Sequence, residues 1–173
     1  MWFRRPILCK LLLFYTASTW VVNVFCEGGC PMSAANKAVV RRYFEEVVNK
    51  GNLAAADELF STHYVSHYPT GYDFGGGPED VKQITTVVRT AFPDMHFTLE
   101  DLLAEGDKVV ARWTFRGTHE DDFMGIPSAG KHATVMGMAI YRIAGGKIEE
   151  AWVSWDTGGL LRQLGAEPEP EPA

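Results

Sequence analysis

The stretch that decides the fold is "ATVMGMAIYRIAGGKIEEAWVSWD", residues 133–156. Apolar and polar residues alternate along both of its halves, a pattern typical of β-strands that bury one face. The halves are joined by "AGGK", whose glycines suit the tight turn of a hairpin. Two further alternating segments, "MHFTLEDLLAEGD" (95–107) and "KVVARWTFRG" (108–117), meet at "EGDK" in the same way. The C-terminal half of the chain is therefore predicted to form four strands with antiparallel hairpins.

The residues before this sheet show helical rather than alternating periodicity. Residues 34–50 predict an amphipathic helix, "LAAADELF" (53–60) a second short helix capped by Asn52, and 78–91 a third helix that begins at Pro78. Between the second and third helices, "HYVSHYP" (63–69) is β-branched and aromatic and predicts a short strand.

Helices followed by an antiparallel sheet predict an α+β fold. We expect three N-terminal helices packed on one face of a curved antiparallel sheet, followed by a short C-terminal helix. Such an arrangement leaves a conical cavity between the helices and the sheet. The chain is long enough for one domain with a substantial core, and we assign residues 32–165 to it.

The first 31 residues differ from the rest. Arg4, Arg5 and Lys10 precede the apolar run "LLLFYTASTWVVNVF", which is followed by "CEGGCP". A basic start, a short apolar run and small residues are typical of a secretory signal peptide, whereas a membrane span needs about 18 or more apolar residues. The alternative is an extension upstream of a true start at Met32. A genuine signal implies a secreted or membrane-associated protein, with membrane contact only through an uncleaved leader; otherwise we expect a cytoplasmic protein.

Cysteine usage and charge exclude several classes of function. Cys9, Cys26 and Cys30 all lie in the leader, so the domain has neither an internal disulfide framework nor a cysteine nucleophile. From Met32 onward, 13 Lys and Arg face 21 Asp and Glu, a net charge of −8, which disfavours nucleic-acid binding. The acidic, proline-rich tail "AEPEPEPA" (166–173) is predicted to be disordered.

Motifs for cofactors and metals are missing from the domain. The glycine-rich "GYDFGGGP" (71–78) lacks the spacing of a phosphate-binding or dinucleotide-binding loop. The histidines and the acids of "HEDD" (119–122) supply no set of three ligands at a usable spacing, so we predict neither a metal site nor a cofactor. General acid–base chemistry in an apolar pocket remains, where burial shifts the pKa of a titratable group.

The candidate residues for this chemistry are dispersed along the chain. The titratable candidates are His67, Asp94, His119 and Asp156, with Arg112 as a group that stabilises an anion. The candidates for the pocket wall are Trp113, Phe115, Met136, Met138, Trp152 and Trp155. For each titratable residue the alternative is a place on the rim or at a helix end, and for each wall residue it is plain core.

Asp156 illustrates these alternatives. It precedes "TGGL" (157–160), a context typical of a helix N-cap. Backbone N–H groups and the helix dipole lower the pKa of a capping aspartate, which suits a base better than an acid. Asp156 is therefore predicted to be a cap, a proton-transfer group, or both.

Two segments carry a resemblance to a known family. "RGTHEDDFMGIPSAGK" (116–131) and "WDTGGLLRQLG" (155–165) are similar to motifs of the SnoaL-like polyketide cyclases, also called ester cyclases, and the similarity extends from about Lys37 to Gly165. The resemblance implies the nuclear-transport-factor-2-like cone, which ketosteroid isomerase and scytalone dehydratase share, and a homodimer formed through the sheet. It also implies intramolecular aldol ring closure on a hydrophobic polyketide-like substrate, without metal or cofactor.

The chain departs from the family where the chemistry is expected. The resemblance implies an aspartic acid in an Asp-Trp-Pro-Asp motif and a histidine on the preceding strand as the proton-transfer pair. Counting back from "RQLG" (162–165), the first aspartate falls on Val153 and the second on Asp156, while "VMGMAIYRI" (135–143) contains no histidine. Two hypotheses therefore remain. The first is a cofactor-independent enzyme that acts on a hydrophobic carbonyl compound as an aldol cyclase, an isomerase, a dehydratase or a hydrolase; the second is a non-catalytic module that binds an apolar small molecule or forms a dimer.

Overall fold

A computed structural model describes residues 9–16, 19–26, 31–68 and 76–166, with side chains from Met32 onward within these ranges. In the predicted leader, β1 (Cys9–Thr16) and β2 (Thr19–Cys26) pair antiparallel. Most of the glycine-rich segment and all but Ala166 of the predicted tail lie outside the described residues. Among the helices within these ranges, none is both long enough and apolar enough to cross a membrane.

The predicted helices are present, with a change of geometry in the first and with Ala54, rather than the predicted Asn52, at the N-cap of the second. The first predicted helix is α1 (Pro31–Arg42), which continues without a break into a π-helix (Tyr43–Asn49). The others are α2 (Ala55–Leu59), α3 (Gly77–Ala91) and α4 (Thr157–Leu164). The apolar residues of the first helix repeat every four positions, and the wider π-helical turn keeps such a repeat on one face better than an α-helix does.

Five strands form the domain's sheet, in the order β3-β7-β6-β5-β4. They are β3 (Phe60–His67), β4 (His96–Glu105), β5 (Lys108–Thr118), β6 (His132–Ala144) and β7 (Lys147–Trp155). The last four pair antiparallel, as predicted, whereas β3 runs parallel to β7. The strand β3 comes from the N-terminal half and joins at the edge beside the last strand, so no hairpin sets its direction.

The two faces of the sheet differ in what covers them. Residues paired directly across neighbouring strands project from the same face. Trp113, Gly137 and Trp155 form one such row, and this inner face carries the helices and the core. Arg112, Met138 and Ser154 form the adjacent row, which lies on the exposed outer face.

A β-bulge in the last hairpin sets which residues of β7 face inward. Ile143 pairs with Ile148, but the next pair is Arg142 with Glu150, so Glu149 is an extra residue on β7. Because side chains alternate along a strand, one extra residue reverses the face of every residue after it.

Candidate functional site

A cavity of about 400 Å³ lies between the helices and the inner face of the sheet. Its walls come from the π-helix, α3, α4, the strands β4 to β7 and the residue that follows β3. The lining is mostly apolar and aromatic, as Tyr43, Tyr68, Phe97, Trp113 and Trp155 illustrate. Cavities of roughly 300–1,000 Å³ with such walls are typical binding sites for small molecules.

The floor of the cavity is a cluster of aromatic rings that a glycine makes possible. Phe97 packs against Trp113 and Phe115, with ring centroids 5.0 and 5.2 Å away. Gly137 is paired with Trp113, and a Cβ atom at Gly137 would overlap the indole ring. The absence of a side chain at this position therefore allows the Trp113 ring to lie across β6.

The six predicted wall residues divide between the two faces. Trp113, Phe115 and Trp155 line the cavity. Met136, Met138 and Trp152 do not, because they lie on the outer face with exposed fractions of 65%, 56% and 37%. The structure corrects their predicted placement: Trp152 and Trp155 are three positions apart and therefore cannot share one face of a regular strand.

Asp156 is the N-cap of α4. Its Oδ1 accepts a hydrogen bond from the backbone N–H of Gly159 at 2.7 Å. A Cβ atom at Gly159 would overlap the Asp156 carboxylate, so this glycine is needed for the observed cap. Asp156 is exposed and is not among the residues that line the cavity. The structure therefore shows the cap and does not bring the carboxylate to the cavity.

Asp94 ties the start of β4 to the end of β5. Its carboxylate accepts hydrogen bonds from the Thr118 backbone N–H at 2.6 Å and from the Thr118 hydroxyl at 2.8 Å. These bonds favour the ionised form and hold the pKa of Asp94 below its ordinary value. Asp94 is exposed and lies outside the cavity.

His67 and Arg112 belong to the outer face. The His67 Nε2 atom lies 2.9 Å from Glu150, and the imidazole stacks on Trp152 with ring centroids 5.3 Å apart. The hydrogen bond to His67, together with that from Arg142, lowers the pKa of Glu150. Arg112 donates to Asp101 at 2.7 Å. The structure therefore corrects the predicted placement of His67 as a titratable group of the pocket and of Arg112 as a group that stabilises an anion there.

His119 is completely buried but does not line the cavity. Its ring stacks on Phe92, which does line the cavity, with centroids 5.3 Å apart. Within the part of the chain that the structure describes, neither ring nitrogen has a hydrogen-bond partner. None of the four predicted titratable residues therefore reaches the cavity.

Sequence reasoning did not identify Tyr68, Ser66 and Asp80 as residues of the site. Tyr68 lines the cavity, and two residues earlier the Ser66 hydroxyl donates to the Asp80 carboxylate at 2.5 Å. Asp80 is only 1% exposed. In "HYVSHYP" the residues alternating with the two histidines are Tyr64, Ser66 and Tyr68, and this alternation was the available signal.

The phenols of the cavity wall stay protonated near neutral pH. Burial raises the pKa of Tyr68 to about 12; the nearby Asp80 charge acts in the same direction, and a hydrogen bond with Ser66 opposes it. Burial also raises the pKa of Tyr43 and Tyr141, which line the same cavity. Each of these hydroxyls can therefore donate a hydrogen bond. Among the described residues, no group of three side chains is arranged to hold a metal ion.

Comparison with known proteins places the domain among related folds. A family model described as SnoaL-like polyketide cyclase matches residues 38–164. TsrD from Streptomyces laurentii is 30% identical with a TM-score of 0.71, over 78% of this chain and 97% of its own. Wild-type IdmH from Streptomyces antibioticus is also 30% identical, with a TM-score of 0.66 over 75% of this chain and 98% of its own.

More distant structures share the fold. A SnoaL-like polyketide cyclase from Agrobacterium tumefaciens is 21% identical, with a TM-score of 0.63 over 75% of this chain and 98% of its own. Among curated proteins, none matches the chain.

Proposed function

The chain belongs to the SnoaL-like polyketide cyclase family, and from this premise we propose that it closes a ring in a hydrophobic, polyketide-like carbonyl compound without a cofactor. The observation that carries the proposal is the cavity of about 400 Å³ with its apolar, aromatic lining. Confinement in a shaped cavity brings the two reacting carbons of a flexible chain together, and such proximity is a large contribution to catalysis.

The phenol hydroxyls of the cavity wall are the hydrogen-bond donors that this reaction would use. In intramolecular aldol condensation a carbon between two carbonyl groups loses its acidic proton to water and attacks a second carbonyl carbon. The oxygen of that second carbonyl gains negative charge while the new carbon–carbon bond forms, and it then takes a proton back from water. Hydrogen-bond donors fixed in an apolar site stabilise such a charge more than water does. Tyr43, Tyr68 and Tyr141 are protonated donors in the cavity wall, and they are the groups available for this role.

One observation favours a second candidate, a non-catalytic module that binds the same class of compound. Val153 lines the cavity at the position where the resemblance places the family's aspartic acid. Among the described residues that line the cavity, none carries a carboxylate or an imidazole. A cavity that keeps its shape but lacks these groups can bind a carbonyl compound without converting it.

A synthetic poly-β-ketone carried on N-acetylcysteamine separates the two candidates. Calorimetry measures its binding, and absorbance with mass spectrometry measures cyclised product. An enzyme is expected to bind the compound and to accelerate cyclisation by at least roughly 100-fold. Val153→Phe should fill the cavity and abolish both effects, whereas Ser154→Phe, on the outer face, should preserve them.

The outcomes of this experiment are distinct. Binding without acceleration would support the module, and Val153→Asp should then introduce turnover if the acid alone is lacking. No binding by the wild-type protein would contradict both candidates.

We also propose that the chain forms a homodimer through the outer face. Met136, Met138, Ile140 and Trp152 are exposed there, and ion pairs such as Arg112–Asp101 give the face both signs of charge. A two-fold interface between identical faces needs such self-complementarity. Analytical ultracentrifugation should show a dimer that Met138→Lys converts to a folded monomer; a monomeric wild-type protein would contradict the proposal.

A further inference from the structure

The buried carboxylate of Asp80 is connected to the cavity wall through a single intermediate residue, Ser66. Asp80 is the fourth residue of α3 and is 1% exposed. The glycines at the start of α3 place it there. Gly76 and Gly77 have φ angles of 81° and 69°, and a Cβ atom on either would lie within 3.2 Å of a β3 backbone oxygen, that of Tyr64 or Thr62. Only glycine is suited to both this conformation and this close approach.

Ser66 connects this carboxylate to the cavity. The Ser66 Oγ–Asp80 Oδ2 distance is 2.5 Å, at the short end of the range for a hydrogen bond to an ionised acceptor. Ser66 also hydrogen-bonds Tyr68, which lines the cavity. Since Ser66 has a single proton, it donates to either Asp80 or the phenol oxygen at one time. A donation to the phenol oxygen polarises the phenol and strengthens its own donation into the cavity.

Within the described part of the chain, no hydrogen bond connects Tyr43 or Tyr141 to a buried carboxylate. Tyr141 is 4% exposed, and its ring packs edge-on against Tyr43 and Phe44, with centroids 6.0 and 6.4 Å away. Tyr43 also packs edge-on against Phe60 at 5.0 Å. Both rings are held by aromatic contacts, whereas Tyr68 is held through a polar chain that ends at a buried carboxylate.

We propose that Tyr68 hydrogen-bonds the carbonyl or enolate oxygen of the ligand, that Ser66 is a positioning residue that donates to the phenol oxygen when the ligand is bound, and that Asp80 competes for the Ser66 proton. This inference rests on the proposed function, since it assigns the polar end of the same cavity. It also explains how a cavity with Val153 in place of the family's acid retains a specific contact for an oxygen atom.

Two probes of matched shape test the contact. They are 2-acetylnaphthalene and 2-isopropenylnaphthalene, in which a methylene group replaces the ketone oxygen. The wild-type protein should bind the ketone roughly fivefold more tightly than the alkene, the effect of one hydrogen bond. In Tyr68→Phe the ratio should fall to about one while alkene affinity stays unchanged, which shows that the cavity is intact. Tyr64→Phe is the matched control, because Tyr64 lies on β3, which ends just before Tyr68, and does not line the cavity.

The infrared stretch of the bound ketone tests the positioning role. A hydrogen bond lowers the carbonyl frequency, so the wild-type complex should show a downshift that Tyr68→Phe abolishes. Ser66→Ala should reduce this downshift partly, whereas Asp80→Asn, which removes the charged acceptor that competes for the Ser66 proton, should not reduce it. Neither change should alter alkene affinity. If Asp80→Asn fails to fold, the Ser66→Ala result alone tests the positioning role. This variant should fold, because Ser66 is not part of the buried core.

Failure of the inference differs from failure of the proposed function. Equal affinity of the wild-type protein for both probes would overturn the role of Tyr68 and leave binding in the cavity standing. Loss of the ketone preference in Tyr43→Phe or Tyr141→Phe, but not in Tyr68→Phe, would also overturn it. Absence of binding by either probe would contradict the proposed function as well.

Discussion

The two faces of β6 carry similar numbers of apolar residues but have opposite roles. The inner row includes Val135, Gly137 and Tyr141, and the outer row includes Met136 and Met138. The side chains of the inner row vary in size, so that the Trp113 ring of β5 fits over Gly137, the smallest residue of the row. The outer row also contains Thr134 and Arg142, and Arg142 forms an ion pair with Glu150 on β7. Hydrophobicity alone therefore does not identify the face that forms a cavity, whereas complementary side-chain volumes across the strands do.

The largest expected effect is the difference in free energy of unfolding between variants that lack one tryptophan on the inner face or one on the outer face. Trp113→Ala should lower the free energy of unfolding by about 3–5 kcal/mol, because a buried ring is lost from the core. Trp152→Ala should cost less than about 1 kcal/mol, since Trp152 is 37% exposed. Urea denaturation of both variants at low protein concentration measures the difference. Equal losses would contradict the assignment of the two faces.

A single methyl group tests the fit of the inner row. Gly137→Ala should lower the free energy of unfolding by about 1–3 kcal/mol, because the new Cβ atom overlaps the rigid Trp113 ring. Gly158→Ala is the matched control: in α4 its Cβ atom would make only ordinary contacts, and alanine favours helix by up to about 1 kcal/mol. Thermal unfolding should show opposite shifts for the two variants. A stable Gly137→Ala protein would mean that the indole can move aside.

The helix cap on Asp156 should have a smaller effect. Asp156→Ala should lower the free energy of unfolding by about 1 kcal/mol, whereas Asp156→Asn should be nearly neutral because asparagine caps about equally well. Neither change should alter the affinity for 2-acetylnaphthalene, because Asp156 does not line the cavity. Loss of cyclisation in Asp156→Asn without a change in melting temperature would instead show that this carboxylate transfers protons.

The smallest expected effect is the pH dependence that Asp94 contributes. Its pKa in the folded protein lies below the ordinary value of 3.8, so its hydrogen bonds to Thr118 stabilise the fold above that pH. This contribution should be lost as the pH falls through the lowered pKa. Asp94→Asn should therefore unfold more easily than the wild-type protein at pH 7 and approach it in strong acid. A difference that is independent of pH would contradict the assigned cause.

Much of the fold could be predicted because its signals are local. The four-residue repeat of the first helix, the alternation of the last four strands and the glycines of "AGGK" each indicate one element. The family resemblance was confirmed by the match to residues 38–164. Trp113 and Phe115 are two positions apart on one strand, so the sequence places them on the same face, which is the face that lines the cavity. The cap on Asp156 was equally local, since "DTGG" is adjacent in the chain.

The candidate site was harder to predict because its members meet only through the fold. Ser66 and Asp80 are separated by a segment that includes several glycines, and no local pattern indicates that their side chains lie 2.5 Å apart. Asp80 lies in the first turn of α3, where an acidic residue is explained by its interaction with the helix dipole alone. Its burial depends on the approach of α3 to β3, which the sequence alone does not specify.

The amino-acid sequence by itself determined the elements, their alternation and the family of this protein, because each depends on residues that are neighbours in the chain. The tertiary structure decided which alternating row faces the cavity. The extra residue Glu149 shifts the pairing of β7, so that Trp155 faces inward and Trp152 outward. A shift of one residue reverses every side chain beyond it, and only the packing of the whole sheet selects between the two registers.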